Sequence, residues 1–367
     1  AMCMKTMKQQ PADAAATTVV NLNSNDNPQP RITRQTILCI GFLLYGLATF
    51  YPPLLLLVTV VLSASIPYAF RANDDGASRR RMWNEFLEGE DLPRDLRCED
   101  VELEESYWAN DRGMALLTSA MVPKNNAPIL AVMCVCHGFM ENASFMKRMQ
   151  YQRFVKQGIA VVMIEYEGHG RSDGPNALIP CWKTLVHDVH SYFSHITTKE
   201  EKFRGKQKFL IGESMGGAVA YDIVLHHPQD YDGVVFVAPM CKILATPPNW
   251  VIDLLYKIVG EPGTVTPLSI MPWAPSKIDQ PTLSFKDHDK MNLVLSSPTK
   301  YGRKPRLATA RELLDATKRI GASIDRFDAP FLVIHGLEDH VTCPKVSEML
   351  YRESPSKDKD IKLYKGE

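Results

Sequence analysis

The pentapeptide Gly212-Glu213-Ser214-Met215-Gly216, followed by Gly217, decides the fold of this chain. It comes directly after a short apolar run, Phe209-Leu210-Ile211, that is typical of a strand, and a helical pattern begins at Met215. A sharp turn from a strand into a helix needs glycines, because the backbone packs closely on both sides of a strained serine. The pattern therefore predicts that the Ser214 hydroxyl is exposed at the end of a strand, where it can act as a nucleophile.

The sequence around this turn alternates apolar runs with amphipathic segments. Continuous apolar runs separated by helices indicate an α/β fold, with a mostly parallel sheet covered by helices on both faces. The predicted strands lie at 129–136, 159–164, 208–211, 233–237 and 331–334, and the clearest helices at 144–157 and 182–196.

The composition excludes several classes of protein. The 367 residues include 42 basic and 42 acidic side chains, so no overall field attracts nucleic acid. A hydrophobic content of 45% excludes a disordered or low-complexity chain. Eight cysteines without a C-x-x-C pair do not form a disulfide scaffold, and we expect unpaired thiols in a reducing compartment.

The N-terminal part of the chain has its own character. Residues 1–35 are polar and are expected to form a disordered arm. Residues 35–70 contain no charged side chain, and a bilayer span needs about 20 apolar residues, so we predict a membrane segment at 36–70. Pro52-Pro53 divides this segment, which is either one kinked span or a hairpin.

Arginines flank the membrane segment on both sides. Arg31 and Arg34 precede it, whereas Arg71 and residues 79–81 follow it within a basic linker predicted at 71–97. The heavier basic flank is expected on the cytoplasmic side. Both geometries of the segment therefore predict a cytoplasmic catalytic domain, anchored to the endoplasmic reticulum or to a lipid droplet.

A carboxylate follows a later strand. The apolar run 331–334 ends in His335-Gly336-Leu337-Glu338-Asp339. In a Ser…Asp…His order of catalytic residues, the acid lies just past a strand that follows the serine. We predict Asp339 as this acid, with Glu338 as the alternative.

Several segments resemble the monoacylglycerol lipase family of α/β-hydrolases, in the form found in plants and algae, which includes lysophospholipase-like and caffeoylshikimate-esterase-like members. The segments, besides the pentapeptide, are Gly168-His169-Gly170-Arg171-Ser172-Asp173-Gly174, Leu178-Ile179-Pro180, Ala238-Pro239-Met240-Cys241-Lys242-Ile243, Lys304-Pro305-Arg306-Leu307, and His335-Gly336 with Asp339-His340-Val341-Thr342. The resemblance implies an α/β-hydrolase domain over 98–367, with a helical cap at about 241–328.

The resemblance also implies roles for individual residues. Ser214 would be the nucleophile and Asp339 would orient a histidine. The backbone N–H groups of Phe139 and Met215 would bind the oxyanion. The substrate is expected to contact His137, Gly138 and Trp250. No metal or organic cofactor is expected.

One departure concerns the histidine of the triad. In the family it follows the last strand, shortly after a segment resembling Ile361-Lys362-Leu363-Tyr364-Lys365-Gly366, which places it beyond Glu367. His340 adjoins Asp339 and cannot readily bind that carboxylate and also reach Ser214. The expectation from the sequence is that residues 1–367 lack the C-terminal end of the domain and are nearly inactive.

The function expected from these features is hydrolysis of the ester of a single-acyl lipid, such as a monoacylglycerol or a lysophospholipid, through an acyl-enzyme on Ser214. The expected partners are this lipid ester and the bilayer, without nucleic acid, and the oligomeric state stays open. Two alternatives remain. One is an acyltransferase or thioesterase of the same fold, and the other is a non-catalytic α/β-hydrolase that binds a ligand.

Overall fold

A single eight-stranded sheet organises the part of the chain that the computed structural model describes, which comprises residues 75–89, 101–125, 127–143, 146–241, 257, 269–270 and 286–366. The strands are β1 (Val101–Ala109), β2 (Ala115–Pro123), β3 (Ala131–Cys136), β4 (Ile159–Ile164), β5 (Gln207–Glu213), β6 (Gly233–Val237), β7 (Phe331–Gly336) and β8 (Lys359–Tyr364). Their order across the sheet is β1-β2-β4-β3-β5-β6-β7-β8. The described helices are α1 (Gly76–Gly89), α2 (Met146–Val155), α3 (Trp182–Lys199), α4 (Met215–His226), α5 (His288–Leu295), α6 (Leu307–Gly321) and α7 (Pro344–Glu353).

The sheet is parallel from β4 to β8, and β2 alone runs against its neighbours. The carboxyl ends of β3, β5 and β7 therefore meet at one edge, which we call the catalytic edge. All five predicted strands and both predicted helices are confirmed, with ends that differ by a few residues. The mostly parallel sheet with helices is thus confirmed as well.

Both faces of the sheet are buried. Along β3, Val132, Cys134 and Cys136 contribute to one hydrophobic cluster, whereas Met133 and Val135 contribute to another on the opposite face. Successive residues of a strand point to opposite faces, so a strand covered on both sides is apolar throughout. This explains the uninterrupted apolar runs of the sequence.

Helix α1 lies within the segment that the sequence presents as a basic linker. The Arg79 side chain is fully buried, and its guanidinium donates to the carbonyl oxygens of Gly170, Ser172 and Gly174. Trp83 is 1% exposed and packs beneath the guanidinium of Arg171, 4.7 Å from its ring centre. The linker prediction is therefore corrected here, because this helix is packed onto the domain.

Helix α6 lies within the range predicted for the cap. Leu313, Ala316 and Ile320 belong to the main hydrophobic cluster together with residues of α3 and α4. This part of the predicted cap at 241–328 is therefore part of the main domain. Residues 242–256, 258–268 and 271–285 of the cap range lie outside the described residues.

The predicted arm at 1–35 and the predicted membrane segment at 36–70 also lie outside the described residues. Among the helices that the structure describes, none has the length and apolar character needed to cross a bilayer.

The cysteines differ from the expectation in one respect. Cys134, Cys136, Cys241 and Cys343 are free thiols, but Cys181 is disulfide-bonded. Disulfides persist in oxidising compartments. The prediction of unpaired thiols is therefore wrong for Cys181, and the cysteines no longer favour a reducing compartment.

Candidate active site

Ser214 occupies the turn between β5 and α4 with φ 53° and ψ −119°, a backbone conformation that few residues other than glycine adopt. Its N–H donates to the Val237 carbonyl at 3.0 Å, and its own carbonyl accepts from Gly217 and Met240. These bonds fix the serine against the loop that follows β6. Ser214 lies at the catalytic edge, where the pentapeptide places it, but it is half-buried and not exposed as predicted.

Glycines make this turn possible because other backbone segments approach them closely. A Cβ at Gly212 would overlap the Gly216 carbonyl, and one at Gly216 would overlap the Cys136 carbonyl. A Cβ at Gly217 would lie 2.7 Å from that of Pro239. The three glycines therefore fix the serine through steric contact of the backbone.

The loop after β3, residues 137–141, is held by its first side chain. His137 donates from Nδ1 to the Gly138 carbonyl at 2.8 Å, and the Glu141 N–H reaches the same carbonyl at 3.3 Å. A trans peptide points its N–H opposite to its carbonyl, so these two bonds turn the Phe139 N–H away from the interior of the loop.

Both ring nitrogens of His137 are occupied, because Nε2 accepts from the Tyr166 N–H at 3.2 Å. Burial lowers the pKa of His137 to about 3, which keeps the imidazole neutral, and these two partners place its one proton on Nδ1. We therefore assign His137 a positioning role in place of the substrate contact that the sequence suggested. Gly138 lies in the same buried turn, and the predicted contact at Trp250 lies outside the described residues.

Two backbone N–H groups lie just beyond the ends of neighbouring strands. β3 pairs with β5 in parallel, with Cys136 opposite Gly212, so the loops that carry Phe139 and Met215 leave the sheet side by side. Within the described residues neither the Phe139 nor the Met215 N–H has a hydrogen-bond acceptor. Met215 is also the first residue of α4, where the helix dipole favours negative charge. This arrangement suits a tetrahedral oxyanion.

Asp339 is the carboxylate that the structure holds in place. Oδ1 accepts from the N–H groups of Val341 and Thr342 at 2.7 and 2.9 Å, and Oδ2 accepts from the Thr342 hydroxyl at 2.7 Å. His335 Nε2 lies 3.3 Å from Oδ2. Burial acts to raise the pKa of Asp339, but the bonds from His335, Thr342 and Val341 outweigh it and lower the pKa to about 2.

The alternative acid, Glu338, is exposed and lies 3.4 Å from Lys286. Asp339 follows β7, which is two strands away from β5 and Ser214. Two strand spacings correspond to about 10 Å, a gap that an imidazole can bridge when it binds a serine hydroxyl on one side and a carboxylate on the other. The geometry favours Asp339 over Glu338.

No histidine of the described residues forms a hydrogen bond with Ser214. His335 binds Ser347 through Nδ1, and His340 is exposed beside Asp339. β8 runs parallel to β7 and ends at Tyr364 on the catalytic edge. The loop that follows β8, where the family resemblance places its histidine, therefore starts at the correct edge of the sheet.

A buried lysine connects the loop after β3 with the turn after β5, and no pattern in the sequence predicts this contact. The Lys147 side chain, on α2, is fully buried; its Nζ lies 3.1 Å from Glu141 Oε2 and also contacts Glu213. Glu141 Oε2 accepts from the Gly138 N–H at 2.6 Å. Glu213 is inside the pentapeptide, but no local pattern connects it with a lysine 66 residues away.

One cluster of metal-ligand side chains occurs among the described residues, beyond the end of α4 that is remote from Ser214. His190, His227 and Asp230 have ligand atoms within 4.8 Å of one another. The two imidazole rings stack at 3.8 Å with 14° between their planes. A metal ion lies in the plane of each imidazole that binds it, so two parallel stacked rings cannot bind one ion together. We assign no metal to this cluster.

Residues 127–367 match the sequence model of the family Hydrolase_4, described as serine aminopeptidase, S33. Caffeoylshikimate esterase from Arabidopsis thaliana is 29% identical over 270 residues, which cover 72% of this chain and 78% of that protein. Monoglyceride lipase from Rattus norvegicus is 25% identical over 292 residues, which cover 79% of this chain and 87% of that protein.

Solved structures share the fold. A soluble variant of monoglyceride lipase from Saccharomyces cerevisiae, in complex with a substrate analog, superposes with a TM-score of 0.58 at 19% identity, covering 76% of this chain and 90% of that one. The monoacylglycerol lipase of Paleococcus ferrophilus gives 0.54 at 22% identity, with coverage of 68% and 89%. At these identities the structures support the fold alone.

Proposed function

The chain belongs to the Hydrolase_4 family, serine aminopeptidase S33, and we propose that it is a serine hydrolase that cleaves the carboxylic ester of a lipid with one acyl chain. The family resemblance of its motif segments to the monoacylglycerol lipase group of α/β-hydrolases is confirmed by these relatives. The observation that carries the proposal is the strained Ser214, which stands beside two N–H groups without acceptors in the described chain.

In the proposed reaction, the Ser214 hydroxyl attacks the ester carbonyl while a general base takes its proton. The carbonyl oxygen becomes an oxyanion that the N–H groups of Phe139 and Met215 bind. The bond to the alcohol breaks, the base returns the proton to the leaving alcohol, and an acyl-enzyme remains on Ser214. Water repeats the sequence and releases the fatty acid.

The base is proposed to be a histidine in the loop after β8, oriented by Asp339. The Asp339 carboxylate is charged at all working pH values, since its pKa is held at about 2. It therefore stabilises an imidazolium during each proton transfer and selects the tautomer that presents a free nitrogen to Ser214.

The named activities of the relatives, caffeoylshikimate esterase and monoglyceride lipase, define the substrates to test. A monoacylglycerol, a lysophospholipid and a caffeoyl ester are offered to the purified protein, and the rate of acid release is measured. We expect the monoacylglycerol or the lysophospholipid to be cleaved fastest. A clear preference for the caffeoyl ester would overturn the assignment to lipids.

One observation favours a second candidate, a non-catalytic α/β-hydrolase that binds a ligand. No described histidine bonds to Ser214. A fluorophosphonate, which modifies activated serines, separates the two candidates. Labelling of Ser214 in the chain of residues 1–367, or in any longer form that the gene encodes, supports the enzyme, whereas no labelling of either form supports the binding protein.

We also propose that residues 36–70 anchor the protein in a membrane, of the endoplasmic reticulum or of a lipid droplet, with the hydrolase domain in the cytoplasm. The support is the uncharged run and the heavier arginine flank behind it. Unpaired cysteines would also support a cytoplasmic domain, but Cys181 is disulfide-bonded. The proposed orientation therefore rests on the arginines alone. Protease added to sealed microsomes should digest the domain, and protection that only detergent removes would reverse the orientation.

A further inference from the structure

The two N–H groups proposed to bind the oxyanion come from different loops. Phe139 lies in the loop 137–141 after β3, and Met215 lies in the turn after β5. Both groups must point at one oxygen atom, within about 3 Å of it. Catalysis therefore depends on a fixed distance between the two loops. The pairing of β3 with β5 ends at Cys136 and Gly212, before Phe139 and Met215 are reached.

Lys147 is the side chain that bridges this gap. Its ammonium contacts the carboxylates of Glu141, from the first loop, and of Glu213, from the second. Glu141 in turn accepts the N–H of Gly138, the residue before Phe139. Glu213 directly precedes Ser214. Contacts through Lys147 therefore connect Gly138, the residue before the first oxyanion donor, with Glu213, the residue before the nucleophile.

The charges of Lys147, Glu141 and Glu213 depend on one another. Burial acts to lower the pKa of Lys147, but Glu141 and Glu213 outweigh it and raise the pKa above that of a free lysine. Burial raises the pKa of Glu213, and Lys147 counteracts this. Without the ammonium, two carboxylates would remain close together and repel each other, because like charges in a buried site disfavour ionisation of both.

We propose that Lys147 is a positioning residue that sets the distance between the two oxyanion donors by tying Glu141 to Glu213. The proposal rests on the proposed hydrolase function, since it concerns the same site. Lys147 touches neither the substrate nor the reacting atoms. Its effect is therefore expected on kcat, through the oxyanion, while binding of the substrate is largely retained.

The test compares two variants. Lys147→Met keeps an unbranched side chain, one atom shorter, and removes the charge, whereas Lys156→Met changes an exposed lysine just after α2. We expect kcat for Lys147→Met to fall roughly 10²-fold, as when one oxyanion donor is lost, with KM within about twofold of the native value. Lys156→Met should leave both unchanged. The rate of Ser214 labelling by a fluorophosphonate should fall in parallel with kcat.

Two rescues distinguish positioning from general stability. In Lys147→Met/Glu213→Gln, the new amide can donate to Glu141, so the link between the loops returns and kcat should recover at least about tenfold. In Lys147→Arg, the positive charge between the two carboxylates is kept, so kcat should fall less than in Lys147→Met. Thermal unfolding is measured for every variant.

Native kcat and labelling rate in Lys147→Met would overturn the proposal. So would a loss that neither rescue restores, or one that only follows a lower melting temperature. If neither the chain of residues 1–367 nor any longer form that the gene encodes hydrolyses an ester or reacts with the fluorophosphonate, the proposed function fails instead. The two failures are thus distinguishable.

Discussion

The turn at Ser214 and the loop at Asp339 are both fixed before any substrate arrives, but by different forces. The glycines at 212, 216 and 217 hold Ser214 by steric contact, since a Cβ at any of them would meet backbone atoms or the side chain of Pro239. Asp339 is held instead by hydrogen bonds from Val341, Thr342 and His335. One half of the site therefore depends on shape, and the other depends on charge.

The difference teaches which perturbations each region can tolerate. Steric contact does not depend on pH, but it fails when a single methyl group is added. Hydrogen bonds to a carboxylate tolerate small changes of volume, but they weaken when the carboxylate is protonated. Ser214 should therefore respond to side-chain size, and Asp339 should respond to charge.

The largest effect is expected at the nucleophile itself. Ser214→Ala should lower kcat by about 10⁴- to 10⁶-fold, because no acyl-enzyme can form. Since the turn is fixed by its glycines, the melting temperature should change little. Hydrolysis and thermal unfolding are measured beside Ser296→Ala, an exposed serine that should behave as the native protein. Activity that survives Ser214→Ala would remove the nucleophile from the proposal.

The next effect tests the charge of the acid. Asp339→Asn keeps the shape of the side chain but removes the charge that stabilises an imidazolium, and kcat should fall by about 10⁴-fold. Glu338→Gln is the matched control, because Glu338 is exposed and its ion pair with Lys286 is long, at 3.4 Å. Equal losses in the two variants would contradict the choice of Asp339 over Glu338.

The third prediction tests steric contact at the turn. Gly216→Ala places a methyl group against the Cys136 carbonyl and should lower the free energy of unfolding by roughly 3 kcal/mol. Gly302→Ala is the control, since a Cβ there meets no atom within 4 Å. Chemical denaturation at neutral and at acidic pH should give the same difference between the two variants. A difference that varies with pH would contradict the steric explanation.

The smallest effect is expected from the pH dependence of the stability that Asp339 contributes. The pKa of Asp339 is about 2 in the folded protein, below the ordinary value of 3.8. A lowered pKa stabilises the fold above the unfolded value, and this stabilisation is lost as the pH falls from about 4 to about 2. The difference in stability between the native protein and Asp339→Asn should shrink over that window.

Thr342→Val provides the matched perturbation, because it removes the hydroxyl that donates to Asp339 Oδ2 at 2.7 Å. The pKa of Asp339 should then rise towards its unfolded value, so the loss of stability on acidification should be smaller and should be complete at a higher pH. The expected cost near neutral pH is about 1 kcal/mol. An unchanged pH profile would show that this hydroxyl does not hold the carboxylate.

The sequence predicts five of the eight strands, the turn at Ser214 and the position of Asp339 after β7, because these features are local. A strand buried on both faces is a continuous apolar run, and a strained turn requires glycines at fixed positions. Ser214 and Asp339 are found in this way. Their catalytic roles stay predictions, which Ser214→Ala and Asp339→Asn test.

The features that the sequence does not reveal depend on contacts between distant segments. Arg79 is read as part of a charged, solvated linker, because arginine is rarely buried, yet three carbonyl groups of a remote loop surround it. Lys147 likewise looks like a surface residue of an ordinary helix in the sequence. Only the folded structure shows its contacts with Glu141 and Glu213.

The docking of α1 has a consequence for how a lipid would reach the site. Arg79 attaches α1 to the loop after β4, at the catalytic edge. Six residue steps separate Phe70, the end of the uncharged run, from Gly76, and an extended chain of that length reaches roughly 20 Å. If that run is embedded as proposed, Ser214 works close to a bilayer surface. A lipid would then find the site by diffusing in two dimensions, at an effective concentration set by the membrane and not by the surrounding water.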